Sequence, residues 1–261
     1  MTTKPVILSD LDDTLFQTKR KMTQEQALTP FRTGAVDRTL QPRSFMTEEQ
    51  AMLTDWLLAH ADLIPVTARG TEELRRVTIP FRSYAITTHG AVILRPDGSP
   101  EPGWQSEMLT ALGPYCERLL SLQQFCTERM TERGIDAWAR INYEYDDVPV
   151  YLVMKHTDST RTAELYAVAA EIEQQFPADG FYIHRNGNNI AWLPDPVEKG
   201  HAVTYLLTLL RAERGTFPVI GLGDSLSDYR FMKHCTWFGM PSRSQFAEAV
   251  AARIFSEVSY V

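Results

Sequence analysis

The stretch Pro5-Val6-Ile7-Leu8-Ser9-Asp10-Leu11-Asp12-Asp13-Thr14 decides how this chain is read. A short apolar run with β-branched residues breaks off abruptly into aspartates. A continuous run of that length predicts a strand buried on both faces, as in a parallel sheet. Working outward, Leu63-Ile64-Pro65-Val66, Tyr84-Ala85-Ile86, Pro218–Leu222 and Thr236-Trp237-Phe238 are further runs of the same kind. Pro65 counts against a central place for its strand. Helical patterns lie between the runs. Thr47-Glu48-Glu49-Gln50 is a capping box ahead of residues 51–60. Thr71 is placed to cap residues 72–77, with Glu72 and Glu73 in the first turn, where the helix dipole favours them. Residues 201–211 carry an apolar stripe of helical period. Strands alternating with helices predict a doubly wound, mostly parallel α/β core of the Rossmann type.

The middle third follows another pattern. Asp97-Gly98 is a hairpin signal, residues 106–133 form one long helical segment, and strands over 137–145 and 150–155 meet at Asp146-Asp147. A second helix over 160–176 precedes strands over 181–185 and 190–193, joined at Asn186-Gly187. Two units of helix, strand, strand are therefore expected. Antiparallel hairpins inside a βα alternation indicate an inserted α+β domain. The expected division is a discontinuous core of residues 1–88 and 194–261, interrupted by an insert of residues 89–193. Residues 17–47 show no clear period and read as a long loop, of the length that is usually functional or mobile.

The chain has 261 residues, 26 Lys and Arg against 33 Asp and Glu, and a formal charge of −7. A hydrophobic fraction of 44% excludes wholesale disorder. The acidic balance speaks against nucleic acid as a partner. No apolar run approaches the roughly 18 residues that span a bilayer, and no basic-then-apolar leader is visible, so neither a membrane nor secretion is expected. Cys116, Cys126 and Cys235 form no metal or disulfide spacing. They read as thiols in a reducing compartment, which predicts a cytoplasmic protein. The insert, with 8 basic and 15 acidic residues, carries the whole net charge; the remainder has 18 of each. Within that remainder, residues 17–47 hold six basic residues and two acidic ones.

Asp10 and Asp12 follow a buried strand directly, and in an open α/β sheet ligands bind beyond the carboxyl ends of the strands. A calcium loop fails, because the positions that need an oxygen ligand, a glycine and a final glutamate hold Thr14, Leu15 and Lys21. A second constellation, Gly221-Leu222-Gly223-Asp224-Ser225-Leu226-Ser227-Asp228, also comes straight after a strand. Ser225 to Asp228 is itself a capping pattern, and the glycines suit a simple turn. Two strands that both end in paired aspartates call for more than capping. Four convergent carboxylates are costly without a divalent cation, and oxygen-only ligands suit Mg²⁺ beside a substrate phosphate. Thr67 ends a third strand and offers a hydroxyl. Lys199 opens a helix, where backbone N–H groups and the dipole favour anions.

With these residues in place the sequence resembles the haloacid-dehalogenase-like superfamily of phosphohydrolases. Its four motifs appear in order as Asp10-Leu11-Asp12-Asp13-Thr14, Thr67, Lys199, and Gly223-Asp224 through Asp228. The insert between the second and third motifs is similar to that superfamily's α/β cap. Its two αββ units look like the small form found in sucrose-phosphate, mannosyl-phosphoglycerate and trehalose-phosphate phosphatases and in phosphomannomutase. The chain departs from the pattern at Asp13, where the family often has Gly, and at Ser227, where it often has Asn. Both departures keep the four carboxylates.

The resemblance implies a Mg²⁺-dependent hydrolysis of a small phosphate monoester, expected to be a sugar phosphate or phosphorylated glycoside. Asp10 would be the nucleophile that forms an aspartyl-phosphate, and Asp12 the acid and base. Asp10, the Asp12 backbone carbonyl and Asp224 would form the metal site, with Asp228 close by or acting through water, while Thr67 and Lys199 would bind the phosphoryl group. A phosphosugar mutase and a non-catalytic sensor of a phosphorylated ligand are the competing readings. In the cap, Arg140, Asn142, Lys155, Arg185, Asn186 and Asn188 are polar candidates for substrate contact, Arg140 and Arg185 before the others. Trp138, Tyr143 and Trp192 are candidates for stacking on a sugar or for packing.

Overall fold

The computed structural model describes residues 4–257. In chain order the elements are β1 (Val6–Ser9), β2 (Gln17–Thr18), β3 (Arg32–Val36), β4 (Pro42–Met46), α1 (Glu48–His60), β5 (Asp62–Pro65), α2 (Thr71–Leu74), β6 (Ala85–Thr87), β7 (Val92–Leu94), α3 (Pro102–Leu112), α4 (Cys116–Glu132), β8 (Ala137–Glu144), β9 (Val148–His156), α5 (Thr162–Gln175), β10 (Phe181–Arg185), β11 (Ile190–Pro194), α6 (Lys199–Arg214), β12 (Val219–Leu222), α7 (Tyr229–Met232), β13 (Trp237–Gly239) and α8 (Gln245–Glu257). They fall into two compact units. One combines the residues up to Trp104 with those from Glu198 onward, and the other is Gln105–Val197.

The first unit is built on a parallel sheet of order β13-β12-β1-β5. β1 is buried along its whole length, as expected for a short apolar strand with neighbours on both sides. Its register pairs Ser9 with Leu222 of β12 and with Pro65 of β5. Three chains therefore leave the sheet at one edge, at Asp10, Gly223 and Val66. Pro65 is tolerated as the last residue of β5, at the edge of the four strands. Beyond it a single parallel bridge, Val66 to Ile86, joins the antiparallel pair of β6 and β7. Ile7, Leu11, Leu15, Phe16, Met46, Leu57 and Leu63 form a buried cluster under this edge. The capping box on α1 forms as read: the Thr47 hydroxyl accepts from Gln50 N, and the Gln50 side chain accepts from Thr47 N.

The second unit is an antiparallel sheet of order β10-β11-β9-β8. Leu119, Leu122, Cys126 and Met130 of α4 and Leu165, Val168, Ala169 and Ile172 of α5 pack with Ile141, Leu152, Met154, Ile190 and Trp192 of the strands. The chain order is helix, strand, strand, twice over. This unit holds 7 basic and 14 acidic residues, so the −7 charge resides here and the first unit is balanced at 19 of each.

Several elements differ from expectation. Residues 17–47 are not a loop: β2, β4 and β3 make a three-stranded antiparallel sheet, and Lys21–Glu25 is a short π-helix. Two register shifts between β3 and β4, around Ala35, interrupt the period-2 alternation that would have betrayed the strands. Gly34 allows this sheet to close on the core, because a Cβ there would lie 2.7 Å from the Phe16 side chain. The helical segment over 106–133 is two helices, parted by a 3₁₀ turn at Gly113–Tyr115, since Pro114 cannot continue an α-helix. Gly70, not Thr71, is the N-cap of α2. The units change over at residues 104/105 and 197/198 rather than at 88/89 and 193/194. Residues 89–104 stay with the first unit because β7 pairs with β6 and the Trp104 indole donates to the carbonyls of Gly90 and Ala91.

Candidate active site

The parallel register fixes which side chains meet. Asp10 N donates to Leu222 O at 2.8 Å, which holds the end of β1 against the end of β12. Asp10 and Asp224 thereby leave neighbouring strands at the same sheet edge. The chain then turns sharply, so that Asp228 comes back beneath it. Gly223 makes this close approach possible, because a Cβ there would lie 2.6 Å from Asp228 Cβ. Lys199 is the first residue of α6, whose N-terminus is capped by the Glu198 carboxylate accepting from Gly200 N.

At the centre, Lys199 Nζ donates to Asp10 Oδ1 and to Asp228 Oδ1, each at 2.7 Å. Asp10, Lys199 and Asp228 are all buried. The other oxygen of Asp228 accepts from Asp224 N, Ser225 N and the Ser225 hydroxyl. Asp224 completes the group: one carboxylate oxygen from each of Asp10, Asp224 and Asp228 can be chosen so that all lie within 4.8 Å of one another. The Thr14 hydroxyl donates to Asp224 Oδ1 at 3.4 Å.

Three carboxylates face one ammonium. Burial, with Asp228 and Asp224 close by, raises the Asp10 carboxyl well above the ordinary carboxylate range, although Lys199 acts in the opposite sense. Burial, Asp228 and Asp13 push Asp224 up to about 7. Asp228 is buried too, yet Lys199 and the Ser225 donors hold it below the usual value. Lys199 is driven upward despite its burial, by Asp10 and Asp228. The centre thus carries an excess of negative charge. Among the described residues, Asp10 Oδ2 and Asp224 Oδ2 accept no hydrogen bond, which leaves two hard oxygen donors for a divalent cation such as Mg²⁺. Both oxygens of Asp228 are already engaged, so it fits a supporting place better than a direct one.

The Asp12 carboxylate does not join this group. It is gripped by Arg69, whose Nε and Nη2 donate to Oδ2 and Oδ1, both at 2.7 Å. Arg69 also lies over the Phe16 ring, 5.1 Å from its centre. Thr67 is buried beside it, and its hydroxyl oxygen accepts from Arg69 N at 3.1 Å. Arg69 is not among the residues expected from the sequence. A signal for it exists: Thr67-Ala68-Arg69-Gly70 puts a cation four residues past Pro65, the end of β5, the strand that neighbours β1 and its aspartates. Asp13, at φ 67°, turns away and pairs with Lys21 at 2.7 Å.

In the second unit, Arg140 lies over Trp138 at 5.5 Å and reaches Asn142. Arg185 is paired with Glu173. Asn188 accepts from His156 N and donates to His156 O, so it ties a turn to β9. Trp192 is buried in the core, whereas Trp138 and Tyr143 are exposed.

No protein-family model matches the sequence, and no curated protein does. Solved structures match over nearly the whole chain at low identity. The C-terminal domain of C. albicans trehalose-6-phosphate phosphatase is 15% identical, over 89% of this chain and 73% of that one, with a TM-score of 0.55. An IMP-nucleotidase of Plasmodium falciparum with IMP bound is 13% identical over 97% and 68%, with a TM-score of 0.52. A trehalose-6-phosphate phosphatase related protein is 16% identical over 96% of both chains, with a TM-score of 0.50. No helix among the described residues is long and apolar enough to cross a membrane. The chain has the fold of the haloacid-dehalogenase-like phosphatases.

Proposed function

We propose that the protein is a Mg²⁺-dependent phosphatase of small phosphate monoesters, acting through an aspartyl-phosphate on Asp10. The observation that carries this reading is the buried triad of Asp10, Lys199 and Asp228 with Asp224 beside it. Lys199 holds Asp10 in one orientation and supplies positive charge next to the incoming phosphoryl oxygens. The Asp10 carboxylate attacks phosphorus, and the P–O bond to the leaving alcohol breaks. Asp12 protonates the leaving oxygen, then takes a proton from the water that hydrolyses the acyl phosphate. Arg69 fixes Asp12 for both steps. Thr67 has its hydroxyl proton left to donate to phosphate. A divalent cation held by Asp10 and Asp224, with Asp228 in support, supplies charge neutralisation at the phosphoryl oxygens when bound.

The second unit is proposed as the cap that selects the leaving group, with Arg140 as its first candidate contact. Sugar phosphates and phosphorylated glycosides remain the proposed substrate class. The similar structures support it in that they include a trehalose-6-phosphate phosphatase domain and a protein named as related to that phosphatase. Phosphate release from a panel of phosphomonoesters, with Mg²⁺ and again with chelator, tests the proposal. Turnover that chelation abolishes is expected. No turnover across the panel would overturn it, and activation by a sugar bisphosphate would move the reading to a mutase.

A further inference from the structure

A cavity of about 210 Å³ opens beside Asp12, entirely within the first unit. It lies between the loop after β5 and the inserted sheet of β2, β3 and β4. Its lining includes Arg43, Arg69 and Arg76 against Asp12 and Glu73, so three guanidiniums face two carboxylates. Arg69 is matched by Asp12, and Arg76 is shared by Glu72 and Glu73. Arg43, on the exposed part of β4, donates no hydrogen bond within the described residues. Ser44 also lines the cavity, and it is 1% exposed with a hydroxyl that has no hydrogen-bond partner. Arg76 Nε is likewise buried and unpartnered. Both atoms have almost no accessible surface, so the polar groups that the cavity presents to a ligand are the guanidiniums and the carboxylates.

We infer that this cavity is a subsite for a second anionic group, a carboxylate or a phosphate, carried by the leaving alcohol of the substrate. The inference rests on the phosphatase reading in one respect: Asp12 lines the cavity, so an anionic group held there would be carried by the alcohol whose oxygen Asp12 protonates. Guanidinium forks match carboxylate and phosphate oxygens, and of the three only Arg43 is not already hydrogen-bonded to a carboxylate among the described residues. The volume suits such a group with a few carbons and falls short of the roughly 300 Å³ at which drug-sized pockets begin. The basic segment 17–47 thereby acquires a role, since it brings Arg43 and Ser44 to the acid–base residue.

The test compares esters that differ in one anion. Glycerol 3-phosphate is set against 3-phosphoglycerate for a carboxylate, and fructose 6-phosphate against fructose 1,6-bisphosphate for a phosphate. The wild-type protein is expected to favour the anion-bearing member of at least one pair by about tenfold or more in kcat/KM, and Arg43→Ala to lose most of that preference, as for one charged hydrogen bond. Calorimetric titration of Asp10→Asn with the four esters gives a readout that needs no turnover. If no ester is turned over but binding shows the Arg43-dependent preference, the phosphatase reading fails and the subsite stands. Equal handling of both members of both pairs, no binding of either anion-bearing ester, or a preference unchanged in Arg43→Ala overturns the subsite.

Discussion

Each of the three aspartates after β1 meets a different cation: Asp10 meets Lys199, Asp12 meets Arg69 and Asp13 meets Lys21, all at 2.7 Å. Their surroundings separate their roles. The Asp10 side chain is 9% exposed and that of Asp12 is 45% exposed, which suits the first to the proposed nucleophile and the second to the proposed acid and base. Arg69→Ala should leave Asp12 unheld and lower kcat by about 10- to 100-fold, with a smaller change in KM and a displaced pH profile. Arg69→Lys restores charge but not the two-pronged grip, so only partial recovery is expected. Equal losses in both variants with an unmoved pH profile would deny the positioning role. Asp13 sits at φ 67°, a left-handed position that glycine takes freely and that an aspartate tolerates better than most residues. Asp13→Val, β-branched in a left-handed position, should lose about 1–2 kcal/mol in a denaturant titration.

Asp224 links the site to pH. Burial, with Asp228 and Asp13 close by, pushes its carboxyl up to about 7 from an ordinary value of 3.8. The folded state then binds more protons than the unfolded state between these values, so this group makes the fold less stable as pH rises from about 4 to 7. A bound cation relieves the cost of the charged form. Mg²⁺ should therefore raise the melting temperature more at about pH 8 than at about pH 5.5. An equal rise at both would contradict a cation on Asp224.

At the scale of elements, the register of β1 against β12 and β5 converts sequence-distant residues into one site, and this much was legible in the sequence. Short apolar runs that end in aspartate, threonine or glycine leave little choice but parallel strands with a polar edge. Convergence of Asp10, Lys199, Asp224 and Asp228 followed from those strand ends. The sheet of β2, β3 and β4 was not legible, because its register shifts hide the alternation and its pairing depends on Phe16 packing over Gly34. Arg69 was not legible in its role either, since pairing with Asp12 requires two strand ends to lie side by side. The close approach at Gly223 is testable on its own. Gly223→Ala must move the turn that carries Asp228, and a cost of about 1–3 kcal/mol with loss of turnover is expected. A variant with unchanged stability and activity would show that the turn has room that the structure denies it.

For the whole molecule, the charge of −7 has an address. The second unit carries it, and the first is neutral overall while holding its acidic site and its arginine-lined cavity within one chain fold. Charge separation of this kind steers small anions by local basic groups and leaves long polyanions without a continuous basic surface. The central claim concerns one atom group, the Asp10 carboxylate. The most direct test is phosphate release by Asp10→Asn beside wild type, in Mg²⁺, on any ester the wild type hydrolyses. A loss of at least about 10³-fold with an unchanged melting temperature is predicted. Near-wild-type turnover by Asp10→Asn would contradict the account.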